Sequence, residues 1–341
     1  NFYTATVYEK GAELIRLLAT RLGPERYRQG PDLYFNRHDG EAVTVEDWVQ
    51  ALQDGSGVDL SEFFIWYEQA GTPHLKVSQS WDNSAGELTL HFQQHTPPTQ
   101  GQETKQPVPI PIRLGLVWPN GEDAPLECSH KDLDGDVFVL RGNEARVTFK
   151  ALGERPMPSL LRGFSAPVRL ETDIDVQGLA TLACYDSDGF NRWEALQQLG
   201  TRAVLGALSG DELNATAARD ALEAALSQVL TDALEGRVRA LWAAEALSLP
   251  SESALGEHLP ELDVAGIHSQ RESVLNHLAT ALAEPLNAAR DWAANHLEGH
   301  TQEARGARAL SNIALAFALR RGEAADLALA QVRDGATMTE Q

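Results

Sequence analysis

A chain of 341 residues exceeds one ordinary hydrophobic core and asks for two or three domains. Hydrophobic residues at 43% and aromatics at 7% suffice to bury such cores, and charged residues at 23% are ordinary for a soluble protein. A net charge of −21 without a compensating basic run argues against nucleic acid, and no stretch reaches the roughly 18 apolar residues that membrane insertion of a helix requires.

The chain opens on Asn1-Phe2-Tyr3-Thr4-Ala5-Thr6-Val7-Tyr8-Glu9-Lys10-Gly11, which lacks the basic start and apolar core of a signal peptide. It also lacks an initiator Met, so the protein is expected to begin upstream. Ala12, Ile15, Leu18 and Leu22 then recur at helical spacing until Gly23-Pro24. A second helix is expected over 25–36. Thr44 with Asp47 three residues on has the form of a capping box ahead of Trp48, Val49 and Leu52. A last helix over 60–69 closes at Gly71-Thr72-Pro73.

From His74 the period changes from helical to two. Leu75 to Ser78 and Leu88 to Phe92 alternate across the turn-rich Asp82-Asn83-Ser84-Ala85-Gly86. Segments 110–118, 137–140, 145–149 and 168–171 continue the series, with Pro107, Pro109 and Pro111 suited to an edge or entry strand. About seven short strands at this spacing predict an antiparallel β-sandwich over 74–172.

From Asp173 the chain is rich in Ala and Leu and again helical. Apolar stripes over 193–208, 217–234, 237–247, 274–282, 288–297, 307–319 and 324–331 are punctuated by Gly236, Pro250, Pro260, Pro285 and Gly322. Successive helices of this length predict an α-solenoid-like domain over 173–341. The fold class is therefore multidomain α+β.

Few residues offer chemistry. Cys128 and Cys184 stand far apart, belong to no CxxC pair and have no nearby His to suggest an activated thiolate, so free thiols and a cytoplasmic setting are expected. His296 and His300 have the i, i+4 spacing of a metallopeptidase helix. In HExxH, however, the Glu follows the first His directly, whereas Glu298 falls about 200° around the helix from His296. Gly299 weakens the helix there as well, so an ordinary helix end is the better reading. Asp132-Leu133-Asp134-Gly135-Asp136 lacks the downstream bidentate Glu of a calcium loop and reads as a polar turn. Asp186-Ser187-Asp188-Gly189 reads as a helix cap. On composition alone, the N-terminal run is a tyrosine-bearing loop feeding an amphipathic helix.

That run nevertheless resembles one family closely. Val7-Tyr8-Glu9-Lys10-Gly11 is similar to the tyrosine motif of zinc aminopeptidases of the aminopeptidase N type. Leu33 to Gly40, Trp66 to Pro73, Phe164 to Val168, Asp188 to Ala195 and Ala246 to Glu252 resemble later landmarks of the bacterial branch, in order. The resemblance implies that 1–73 is the helical end of a thermolysin-like catalytic domain, followed by the sandwich and by part of a helical C-terminal domain. It implies that Tyr8 hydrogen-bonds the oxyanion of a tetrahedral intermediate and that Tyr3 lines the pocket for the first substrate side chain. Peptides would be the substrates, with broad specificity at the N-terminal residue. The family's HExxH, its third zinc ligand and its GxMEN loop have no counterpart here, so no metal site is expected in this chain. The zinc-binding part is expected upstream in the same protein, and the chain alone is expected to be inactive. The C-terminal domain is expected to run beyond Gln341. The alternative is a non-catalytic scaffold, sandwich plus solenoid, that binds peptides or proteins. Helices parted from a catalytic core should also expose apolar surface around Leu14, Leu17 and Leu18.

Overall fold

The computed structural model describes residues 6–335 and 337–338, with the side chains of Thr6 and Val7 excepted. It divides into two compact units, 1–173 and 174–341.

The first unit begins with a π-helical turn, Thr6–Lys10, that runs directly into α1 (Gly11–Leu22). Pro24 at the first position, where its missing N–H costs nothing, starts α2 (Pro24–His38). In α3 (Val45–Ser56) the Asp47 carboxylate accepts the Thr44 N–H at 2.9 Å, and Gly57 at φ 68° ends the helix. A 3₁₀ turn, Ser61–Phe64, leads into the single turn α4 (Ile65–Glu68).

Eight strands follow: β1 (His74–Asp82), β2 (Glu87–His95), β3 (Ile110–Val117), β4 (Leu133–Asp134), β5 (Val137–Leu140), β6 (Glu144–Phe149), β7 (Met157–Leu160) and β8 (Arg169–Thr172). They form two four-stranded sheets, ordered β6-β2-β1-β8 and β4-β5-β3-β7. Pairing is antiparallel throughout except at β1–β8, where the returning chain lies parallel to β1. Phe92 from one sheet meets Phe138 from the other with centroids 5.0 Å apart, so the inner faces interlock. The expected polar turn at Asp132 to Asp136 is the β4–β5 hairpin, with Gly135 at φ 61°.

Exposed apolar surface around Leu14, Leu17 and Leu18 was expected, and the structure corrects this: they are only 4%, 1% and 1% exposed. The same core that holds Leu75, Phe92, Ile112 and Phe138 continues through Phe63 and Trp66 to Leu17 and Leu18. α1 packs on β3 and β5, so the sandwich supplies the apolar partner that the helix needs.

The described residues of the second unit form helices and no strands: α5 (Val176–Tyr185), α6 (Gly189–Ser209), α7 (Glu212–Leu234), α8 (Ala240–Ala246), α9 (Glu252–Gly256), α10 (Val264–Ala281), α11 (Ala283–Ala294), α12 (Gln302–Arg320) and α13 (Ala325–Asp334). Asp175, Asp188, Asp211, Ser251, Asp263 and Thr301 each cap a helix by accepting a backbone N–H three residues on. Part of the chain's acid excess is thus spent on helix starts, where the dipole favours negative charge. Small residues let the helices approach. Gly206 sits against the Ala215 backbone at the α6–α7 crossing, and Gly306 against Ala240 and Leu241 at the α8–α12 crossing. At the centre, Asp232 is shared by Arg192 at 3.0 Å, Arg237 at 2.8 Å and Gln228 at 2.8 Å.

Candidate active site

Tyr8 lies on the π-helical turn and is 59% exposed. Tyr3 falls outside the described residues. The turn is held from behind, because α1 continues it without a break and buries Leu14, Leu17, Leu18 and Leu22. π-helical turns are rare, and many of those known lie at functional sites.

Two residues downstream, Lys10 is half-buried. Burial pulls its ammonium below the ordinary lysine range, and the neighbouring Lys105 charge acts in the same direction. Lys105 is itself fully engaged, donating to the Ala70 carbonyl at 2.8 Å, Thr99 Oγ1 at 2.6 Å and Gln102 Oε1 at 2.9 Å. Three further bonds dock the loop around Gln102 onto the end of α4: Gln69 donates to the Gln106 carbonyl, Gln106 N–H donates to Gln69 Oε1, and Ala70 N–H donates to Gln102 Oε1. Trp66 Nε1–H donates to the Pro109 carbonyl at 2.8 Å within the core. The exit of α4 is therefore tied to the sandwich by hydrogen bonds, while α1 is held through its packing on β3 and β5. Lys105 is a neighbour of the tyrosine motif that sequence reading missed, since no spacing rule links it to Lys10.

The other candidates sort by geometry. α11 ends at Ala294, so His296 and His300 do not share a helical face. The His296 ring stacks on Trp292 at 4.3 Å and its Nδ1 lies 2.7 Å from the Trp292 carbonyl oxygen. Asp132 and Asp136 turn to arginines, Arg141 at 2.6 Å and Arg113 at 3.4 Å, and do not converge on a cation site. Cys128 and Cys184 are both free thiols. A His does stand near one of them, contrary to expectation: His130 donates its backbone N–H to Cys128 Sγ at 3.3 Å, while its ring Nδ1 receives the Asp132 N–H. The ring is thus turned to the loop's own backbone. Among the described residues no group of three or more His, Cys, Asp or Glu is placed to hold a metal ion, so these residues do not fit a zinc site. No helix among them is long and apolar enough to cross a membrane.

Comparison with known proteins covers almost the whole chain. Residues 1–67 match the peptidase family M1 domain, 71–173 a domain of unknown function (DUF3458) with an Ig-like fold, and 176–341 its companion domain (DUF3458_C) of ARM repeats. Aminopeptidase N of Escherichia coli (strain K12) is 38% identical over 293 residues, 84% of this chain and 33% of that protein. Aminopeptidase N of Caulobacter vibrioides is 41% identical over 288 residues, 84% and 32% respectively. This chain belongs to the aminopeptidase N branch of the M1 peptidases. It spans about a third of the length of these curated relatives. The crystal structure of Legionella pneumophila aminopeptidase A in complex with aspartic acid superposes with a TM-score of 0.84 at 26% identity, over 99% of this chain and 38% of that one. Over this span the chain thus comprises helices matched by the M1 peptidase domain, an Ig-like sandwich and ARM-type helices.

Proposed function

We propose that this chain carries the oxyanion-binding tyrosine of a zinc aminopeptidase that removes N-terminal residues from peptides with broad specificity. The observation that carries the reading is the placement of Tyr8. It lies in a motif inside the stretch that matches the M1 peptidase domain, exposed, on a turn that continues into a helix anchored in the core.

As the scissile carbonyl becomes tetrahedral, its oxygen gains charge, and the Tyr8 phenol donates a hydrogen bond to it. A hydrogen bond that strengthens as this charge develops stabilises the transition state more than the bound substrate and so acts on kcat. Tyr3 forms one wall of the pocket for the first side chain, an aromatic surface suited to apolar and basic residues alike. The zinc that this family implies is held, in this reading, by residues upstream in the same polypeptide. Because the family's HExxH and third zinc ligand have no counterpart in this sequence, the chain by itself is inactive in this reading. Peptides are its substrates, and the cytoplasm suits its two free thiols.

The test uses an alanyl chromogenic amide with added zinc. This chain alone should not hydrolyse it, whereas a polypeptide extended to include the zinc ligands should. In that longer protein Tyr8→Phe should lower kcat about 10²- to 10³-fold with zinc content unchanged. Tyr3→Ala should change the ranking of N-terminal residues more than the rate on alanine. Hydrolysis by the present chain alone would overturn the reading, and an undiminished kcat in Tyr8→Phe would remove Tyr8 from the site.

A further inference from the structure

A cavity of about 620 Å³ opens in the helical unit, within the range usual for small-ligand sites. One side is the turn Gly236 to Arg239 and the start of α8 at Ala240 and Leu241. The other is Trp292 of α11 and the first turn of α12, from Gln302 to Arg305.

The charge of its lining is opposite to that of the chain. Acidic residues outnumber basic ones 49 to 28 overall, yet the lining carries three arginines and a single carboxylate, Glu303. Arg237 is committed, with its guanidinium held by Asp232 and Glu235. Arg239 and Arg305 differ: among the described residues their side chains make no ion pair and no hydrogen bond, while most arginines of this unit are engaged. Two uncommitted guanidiniums on opposite walls are a recognition device for a carboxylate, whose two oxygens match the guanidinium fork.

Apart from Gln302 and Glu303, the rest of the wall is apolar. Val238, Ala240, Leu241 and Trp292 face the cavity, and the His296 ring stacked at 4.3 Å on the indole fixes the Trp292 rotamer. A Cβ at Gly306 would stand 2.8 Å from the Leu241 nitrogen, so the two walls meet at a seam closed to van der Waals contact. Inorganic phosphate would satisfy the arginines but leave this apolar wall wet. We propose that the cavity binds a small carboxylate with an apolar or aromatic body, of the kind presented by the C-terminal residue of a peptide. Arg239 and Arg305 take the carboxylate, and Trp292 and Leu241 receive the side chain. The proposal does not depend on the aminopeptidase reading, since it uses no residue of the tyrosine motif.

The experiment is a calorimetric titration of the whole chain with N-acetylphenylalanine, N-acetylphenylalanine amide and inorganic phosphate in parallel. The acid should bind saturably and more tightly than either control, and its affinity should fall as ionic strength is raised. Arg239→Gln combined with Arg305→Gln should weaken the acid roughly fivefold to tenfold and leave the amide unchanged, as two exposed guanidinium contacts are lost. Both residues are exposed, and an unchanged thermal transition confirms that the variant folds. Trp292→Leu should weaken acid and amide together. The proposal is overturned if acid and amide bind alike, if phosphate binds best, if the double variant binds as the parent does, or if the parent shows no saturable binding of the acid.

Discussion

The two units solve the same burial problem with different materials. In the first, Phe63, Phe92, Phe138, Phe149 and Trp66 fill a core shared by helices and sandwich. In the second, Ala203, Ala218, Ala225, Ala243, Ala289 and Ala307 are buried beside leucines, and helices meet almost backbone to backbone. Large side chains stabilise through the apolar area each removes from water. Small ones remove little area apiece, so the second unit relies on close approach and on a polar centre at Asp232. Removing that centre should be the most damaging single change. Asp232→Ala leaves Arg192, a residue only 9% exposed, without its carboxylate, and a cost of about 3–5 kcal/mol is expected in denaturant unfolding.

The same carboxylate makes the contrast sensitive to pH. Burial alone would push the Asp232 carboxyl up, but hydrogen bonds from Gln228, Arg192 and Arg237 outweigh it and hold the group below the ordinary aspartate range. A carboxyl depressed in the folded state contributes stability that is complete above its unfolded pKa and lost as pH falls through the folded value. The helical unit should therefore lose stability at the acid end through this group, and Asp232→Asn should flatten that limb. An unaltered acid limb in the variant would mean that other carboxylates govern it.

In the first unit the corresponding test is Leu17→Ala, which hollows the shared core and should cost about 2–5 kcal/mol. Its diagnostic consequence lies elsewhere in the unit. If α1 and the sandwich form one cooperative structure, hydrogen exchange should quicken in β3 and β5 as well as in α1. Protection unchanged in the strands would mean that the helices open independently. Trp66→Phe should cost less, about 1–3 kcal/mol, because it removes the Nε1–H bond to the Pro109 carbonyl and leaves that buried oxygen without its donor.

These outcomes also mark where sequence reading succeeds. Long elements with one face to bury announced themselves: α6, α7 and α12 lie where their stripes placed them, and β1 and β2 where alternation did. Elements without a stripe were silent. Val176 to Tyr185 is apolar on most sides and forms α5 without a readable period. β7 spans four residues, contains Pro158, and exists only because β3 offers an edge to it. The fate of Leu14, Leu17 and Leu18 was illegible for a related reason, since a helix shows that it has an apolar face and not what will cover it. At the candidate site the tyrosine motif was readable by resemblance alone, whereas the Lys10–Lys105 proximity and the cavity arginines arise from tertiary placement.

The smallest expected effects come from glycines at the helix crossings, where two terms oppose each other. Gly306 and Gly30 both lie inside helices, so Ala should gain roughly 1 kcal/mol in helix propensity at either site. Against that, a Cβ at Gly306 would meet the Leu241 backbone nitrogen at 2.8 Å, and overpacking of this kind costs about 1–3 kcal/mol. At Gly30 the Cβ meets the Leu52 side chain at 2.3 Å and its Cα at 2.9 Å. A side chain can change rotamer, but a backbone can move only with its helix. At Gly30 the closest clash can relax through the Leu52 side chain, leaving a small parting of α2 from α3 at the Leu52 Cα, whereas Gly306→Ala finds no flexible side-chain end to yield and must separate α8 from α12. Thermal unfolding should find Gly306→Ala the more destabilising of the two. The reverse order would show that the helical unit adjusts by sliding its helices, and that its small-residue seams are more compliant than the α2–α3 contact at Leu52.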